Sequence, residues 1–244
     1  MRIDTAAYAC RWRGVAPSAK ALFALAGVVA AWVARSPDVL ALLAGLSMLV
    51  TMLGARVALR TYMSVLLAPL GFLLLSCLTM LVSPGVDGNW HPMPALLPRV
   101  AATALRSLAV LAALLGLVLT TPLPDLLALL RRVRVPELLL DLMALSYRML
   151  FVLRQAWEEG VTAQSARLGY RGWRHAWRSA GLLAGQMAVQ VWQRAAALQM
   201  AADARGYQGS LRFLPAAYPQ ARRQNALALL AGALLLAIAV GDRL

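Results

Sequence analysis

The most specific chemistry in this chain belongs to two arginines set in near-copies of one phrase. The first copy reads Ala166-Arg167-Leu168-Gly169-Tyr170-Arg171-Gly172, and the second Ala204-Arg205-Gly206-Tyr207-Gln208-Gly209. With Leu168 set aside, both read Ala-Arg-Gly-Tyr-x-Gly, and alanine precedes each three positions earlier, at Ala163 and Ala201. A guanidinium is a planar fork that meets a carboxylate or phosphate through two parallel hydrogen bonds. In both copies a helix-favouring run ends at the arginine and then meets glycine. Glycine takes the left-handed position that closes a helix, and a cation there sits at the negative end of the macrodipole. A single arginine of this kind reads as a local cap. Two copies point to two equivalent hooks for two equivalent partners.

Other reactive groupings are weak. The chain holds no GxxxxGK[ST] phosphate loop, so it does not bind ATP by that device. His91 and His175 are far apart, with no HExxH. Asp87 and His91 offer two metal ligands in a stretch rich in Pro and Gly, which falls short of a cage. Glu158-Glu159 reads as a solvated pair on a helix face, and Cys10 and Cys77 are too separate to argue for a disulfide or a metal site. No nucleophile, base and orienter converge. The expectation is a non-catalytic chain whose arginines act mechanically.

The elements that must hold these arginines are those of a membrane protein. Of 244 residues 61% are hydrophobic and 14% charged, with mean hydropathy +0.68, outside the soluble range. The net charge of +14 does not signal nucleic acid, because the arginines sit between apolar runs instead of along one hydrophilic surface. No short apolar core with a cleavage site opens the chain, so no cleaved signal peptide is expected.

Uncharged runs occupy 21–34, 39–55 and 61–86; a fourth apolar run, 100–121, contains Arg106, and a fifth covers 226–240. These predict five spans, the first two short for a bilayer core that wants about 20 residues. Pro69 should kink the third. Residues 83–98 predict an external loop, and Arg106 is expected to face the interior or to reach outward with Arg99. Residues 122–224 are of another kind. Pro122, Asp125, Pro136 and Glu137 mark helix starts, and a helix from 137 to 168 carries too many charges to be a simple span. Gln186, Gln190 and Gln193 give 179–193 a polar face. If that stretch crossed the bilayer, Arg167 and Arg205 would emerge on opposite sides, so 122–224 is expected to be cytoplasmic or interfacial. Trp157, Trp173, Trp177 and Trp192 suit interfacial anchoring and helix packing. Residues 1–20, Arg56, Arg60 and 122–224 together carry 20 of the 24 basic side chains, which predicts a cytoplasmic N-terminus. The expected organisation is transmembrane helices in 1–121, a cytoplasmic coupling-helix domain in 122–224 and a last transmembrane helix in 225–244.

With the Ser36-Pro37 turn, the run Arg131-Arg132-Val133-Arg134-Val135-Pro136, Tyr147-Arg148 and both arginine phrases, the chain resembles the transmembrane coupling component of energy-coupling factor transporters, of the cobalt/nickel CbiQ type. The resemblance implies that Ala166-Arg167-Leu168 and Ala204-Arg205-Gly206 end two coupling helices and dock in two ATPase subunits against acidic residues. Leucine stands where the family has glycine in the first copy, with Gly169 following at once. It also implies a membrane substrate-capture subunit that holds Co²⁺ or Ni²⁺, ATP and Mg²⁺ on the ATPases, no cofactor in this chain, and a place in the bacterial cytoplasmic membrane. An arginine–carboxylate contact shielded from water is worth about 3–5 kcal/mol on truncation, against about 0–1 when exposed. The competing reading is a stand-alone permease. It needs polar groups converging within the spans, for which only Arg106, Ser64, Ser76 and Thr79 stand as candidates.

Overall fold

The computed structural model describes residues 2–84, 90–92, 96–206 and 218–243. Tyr207, Gln208 and Gly209 of the second phrase, Asp87, and the connector around Pro215 lie outside the described residues. The chain forms two compact units, Met1–Leu129 with Ala216–Leu244, and Leu130–Pro215.

The first unit is a helical membrane body. It contains α1 (Arg2–Ala9), a 3₁₀ turn (Arg11–Gly14), α2 (Pro17–Val33), α3 (Pro37–Leu49) running into a π turn (Val50–Gly54), α4 (Leu59–Leu81), α5 (Leu97–Thr120) and α9 (Ala221–Gly241). Proline stands in the first turn of α2 and α3, where its missing N–H costs nothing, and the Ser36 hydroxyl accepts from Val39 N at 3.4 Å to start α3. Pro69 lies inside α4, which stays helical through it. Where the composition predicts only a loop, β1 (Val82–Pro84) and β2 (Trp90–Pro92) pair antiparallel with Ser83 opposite His91.

Among the described residues four helical stretches are long and apolar enough to cross a bilayer: Pro37–Gly54, Leu59–Leu81, Leu97–Thr120 and Ala221–Gly241. The fifth apolar helix, α2, has 17 residues, about 26 Å at 1.5 Å per residue. This is an all-α, multi-pass membrane protein. The α2 helix packs on α9 and α5, and α3 packs on α5. Ala30, Ala31, Ala34, Ala44, Ala109 and Ala239 surround Leu40, Leu43 and Leu235 in the core. In lipid the attraction between helices comes from close packing, which small residues allow. Gly232 of α9 shows how close: a Cβ there would come within 2.7 Å of the Ala26 methyl. By contrast α4 leaves Leu67, Phe72, Leu74 and Leu78 exposed, an apolar surface that a bilayer solvates.

Long-range hydrogen bonds order the two ends of this body. At one end Ala16 N donates to Gln224 Oε1 at 2.7 Å and Lys20 Nζ to the Thr120 carbonyl at 2.7 Å. At the other, Arg35 N and Ser36 N each donate to Asp242 Oδ2 at 2.7 Å, and Arg243 Nε donates to the Val33 carbonyl at 2.7 Å. Hence α2 and α9 run parallel, and α5 runs against them.

The helix α6 (Leu123–Arg132) carries the chain into the second unit, which is built from α7 (Glu137–Ala166) and α8 (Trp173–Ala204). These have 30 and 32 residues, or about 45 and 48 Å. They pack on each other with Gly160 against Leu183, the most buried leucine of the pair. Neither is among the stretches apolar enough to span. On α7, Arg154 Nε donates to Glu158 Oε1 at 2.8 Å and Gln155 Nε2 to Glu159 Oε1 at 2.9 Å, and both glutamates are exposed.

Candidate partner-docking site

Both arginines stand where their helices stop. Arg167 is the residue that caps α7, at φ −91° and ψ 15°, and Arg205 caps α8 at φ −94° and ψ 7°. The next residue is left-handed in each case, Leu168 at φ +58° and Gly206 at φ +68°. The α7 end is a complete Schellman closure: Leu168 N donates to the Ser165 carbonyl at 3.0 Å and Gly169 N to the Gln164 carbonyl at 2.9 Å. At α8 the matching bond runs from Gly206 N to the Asp203 carbonyl at 3.0 Å. Leu168 therefore fills the place of Gly206, and the two phrases correspond without a gap: Ala166-Arg167-Leu168 with Ala204-Arg205-Gly206.

This closure frees the arginine heads. The Gln164 and Ser165 carbonyls of α7 are taken by backbone amides, so the guanidinium is not needed to cap those two. Among the described residues neither Arg167 nor Arg205 has a side-chain partner, and both are exposed. The nearby Asp203 is held by Gln199 Nε2 at 3.0 Å, one turn back along α8. Beside the first tip, Arg167, Leu168, Arg171, Gly172 and His175 line an open depression. Trp173 and Trp177 stack edge to face at 5.4 Å on the following turn. Gly169 is needed for a close approach: its carbonyl accepts from Ser179 Oγ at 3.0 Å, and a Cβ would collide with that hydroxyl. The chemistry on offer is two exposed, cationic forks at helix ends, suited to carboxylates.

The groups that a permease needs do not converge. Arg106 Nε donates to the Ala31 carbonyl at 3.2 Å and Nη2 to the Ala34 carbonyl at 3.1 Å, so it caps the end of α2. It also lies 5.9 Å from the Trp32 ring centre. Ser64 and Thr79 bond back to the carbonyls of Thr61 and Ser76 on their own helix. Among the described residues no three His, Cys, Asp or Glu side chains group as metal ligands, and Cys10 and Cys77 are free thiols. Three contacts were not legible in the sequence: the Arg106 cap, the Asp242 clasp on Arg35 and Ser36, and the Lys20 bond to Thr120. The signals were there as a charge inside an apolar run and a lone lysine among arginines.

Tyr218 and Asp242, both outside the spans, are shifted. The Tyr218 phenol is pushed up to about 12 by burial and by its hydrogen bond to Asp125. The Asp242 carboxyl is held below its ordinary 3.8 by hydrogen bonds from the Ser36 side chain and from the Ser36 and Arg35 amides.

Fold and site together define a multi-pass α-helical membrane protein with two long helices, each ending in an exposed arginine that has no side-chain partner among the described residues. Residues 11–216 match the CbiQ family, described as cobalt transport protein. The chain belongs to that family and is a membrane component of cobalt transport. It is 37% identical over 223 residues to the cobalt transport protein CbiQ of Rhodobacter capsulatus, covering 89% of this chain and 90% of that one. It is 32% identical to the CbiQ of Salmonella typhimurium, covering 85% and 97%. A putative fused cobalt transport protein CbiMQ of Methanocorpusculum labreanum is 29% identical, over 86% of this chain and 37% of its own length.

Proposed function

We propose that this chain is the coupling subunit of an energy-coupling factor importer, carrying ATPase movements to a membrane subunit that captures Co²⁺ or Ni²⁺. Arg167 and Arg205 each dock in one of two ATPase subunits, against an acidic residue, with Ala166 and Ala204 leaving room for the tip to enter a groove. ATP and Mg²⁺ belong to those ATPases and the transported metal to the capture subunit, so this chain performs no catalysis. The observation that carries the reading is the pair of exposed arginines on matching helix ends, neither with a side-chain partner among the described residues. The fused relative supports a capture partner, since its name joins a second transport part to a CbiQ part in one chain. Residues 122–224 lie on the cytoplasmic side of a bacterial inner membrane, in keeping with the weight of basic residues there.

The test replaces each tip. Arg167→Glu or Arg205→Glu is expected to abolish metal uptake and weaken co-purification of the ATPases while membrane insertion is unchanged. Normal uptake by the double variant overturns the proposal.

A further inference from the structure

The chain leaves the membrane unit once, after Leu129, and returns once, at Ala216. Along the backbone, movement of residues 130–215 reaches the membrane helices only through the outgoing stretch after Thr120 and the returning stretch before Ala221. The points where these stretches join α5 and α9 are both held by one short segment, the entry into α2. The outgoing stretch is held at the last residue of α5, where the Thr120 carbonyl accepts from Lys20 Nζ at 2.7 Å and from Cys10 Sγ at 3.6 Å. The returning stretch is held at the start of α9. There Gln224 Oε1 accepts from Ala16 N at 2.7 Å, Gln224 Nε2 donates to the Gly14 carbonyl at 3.5 Å, and Ser18 Oγ donates to Asn225 Oδ1 at 2.8 Å. Tyr218 bonds Asp125, which ties the two stretches to each other.

Resting on the coupling reading, we propose that residues 14–20 are the fulcrum through which movement of residues 130–215 acts on α5 and α9, with Lys20 as the positioning residue at its centre. Lys20 is the one lysine among the 24 lysine and arginine residues of the chain, and it is 6% exposed. Burying an ammonium is costly unless a specific bond needs it. Here it meets the negative end of the α5 dipole through the final carbonyl. An ammonium is also a compact charge with three rotatable donors, whereas a guanidinium is a rigid fork. It can follow a carbonyl that changes direction. A cavity of about 10 Å³, lined by Lys20, Ser47, Thr51 and Thr120, leaves space beside it for roughly one water.

The test uses the complete complex, with ATPases and capture subunit, reconstituted in vesicles and supplied with Co²⁺ and ATP. For Lys20→Met, assembly by co-purification is expected to be unchanged and ATP hydrolysis to stay within about twofold. Co²⁺ accumulated per ATP hydrolysed is expected to fall about tenfold. Lys20→Arg, which keeps the cation, recovers part of that ratio. Should Lys20→Met fail to assemble, the double variant Ser18→Ala with Gln224→Ala carries the test, and the same drop in the ratio is expected. An unchanged ratio in an assembled complex overturns the proposal. So does a parallel loss of assembly, hydrolysis and uptake in every variant, because the segment is then only structural. Absence of ATP-driven uptake by the wild-type complex instead overturns the coupling reading itself.

Discussion

Leu168 and Gly206 hold the same left-handed backbone, at φ +58° and +68°, each directly after a tip arginine. Arg134, two residues past α6, does so as well at φ +65°, with Val135 N bonding the Leu130 carbonyl at 3.3 Å and Arg134 N the Arg131 carbonyl at 3.2 Å. Three successive helices, α6, α7 and α8, thus stop by one device. Only the last uses the residue suited to it. A left-handed backbone costs a side-chain-bearing residue roughly 1–2 kcal/mol, so Leu168 stores strain that Gly206 does not.

Replacing Leu168 by Gly removes that strain, and glycine's larger unfolded entropy offsets part of the gain. The expected net is a stabilisation of about 0.5–1 kcal/mol, seen as a higher melting temperature of the detergent-solubilised chain. Leu168→Val is expected to move it the other way. Equal melting of all three proteins is incompatible with this cap.

Gly169→Ala pushes a methyl against the Ser179 hydroxyl and to within 2.9 Å of the Gln164 carbonyl. A destabilisation of about 1–3 kcal/mol is expected from such overpacking. Combining it with Ser179→Ala should return part of the loss, because one of the two clashing groups is gone. A double variant no better than the single one places the fault at the Gln164 carbonyl alone.

Arg106→Ala strips the Ala31 and Ala34 carbonyls of their donor at the end of α2. Leaving such groups unsatisfied costs about 1–3 kcal/mol, so a lower melting temperature is expected, with Arg106→Lys intermediate. If Arg106 lined a substrate path instead, uptake would fall while stability stayed at the wild-type value.

The Asp242 clasp has a defined pH window. Its carboxyl is lowered from 3.8 chiefly by the Ser36 side-chain bond and then by the Ser36 and Arg35 amides. A lowered folded value means that the stabilisation is complete above the ordinary value and disappears as the pH falls through the lowered one. The melting difference between wild type and Asp242→Ala should therefore stay constant from about pH 8 to 5 and close below about pH 4. A difference that changes near neutrality points to another group.

The order of residues alone determined the class of this protein and its two tips, since those are local properties. Apolar runs bounded by arginine read directly as membrane helices, and the run into Arg167 or Arg205 followed by a helix breaker reads as a helix end. The family resemblance was likewise carried by contiguous phrases. What the linear reading could not decide was the register of the first tip, because leucine rarely adopts a left-handed backbone and Gly169 was the more natural closing residue. Only the tertiary structure assigned Leu168 that role. Nor could the sequence find the partners of Arg106, Lys20 and Asp242. Those bonds join residues between 72 and 207 positions apart. Such pairs are set by how helices pack and which ends meet, and nothing in the neighbouring sequence encodes that geometry.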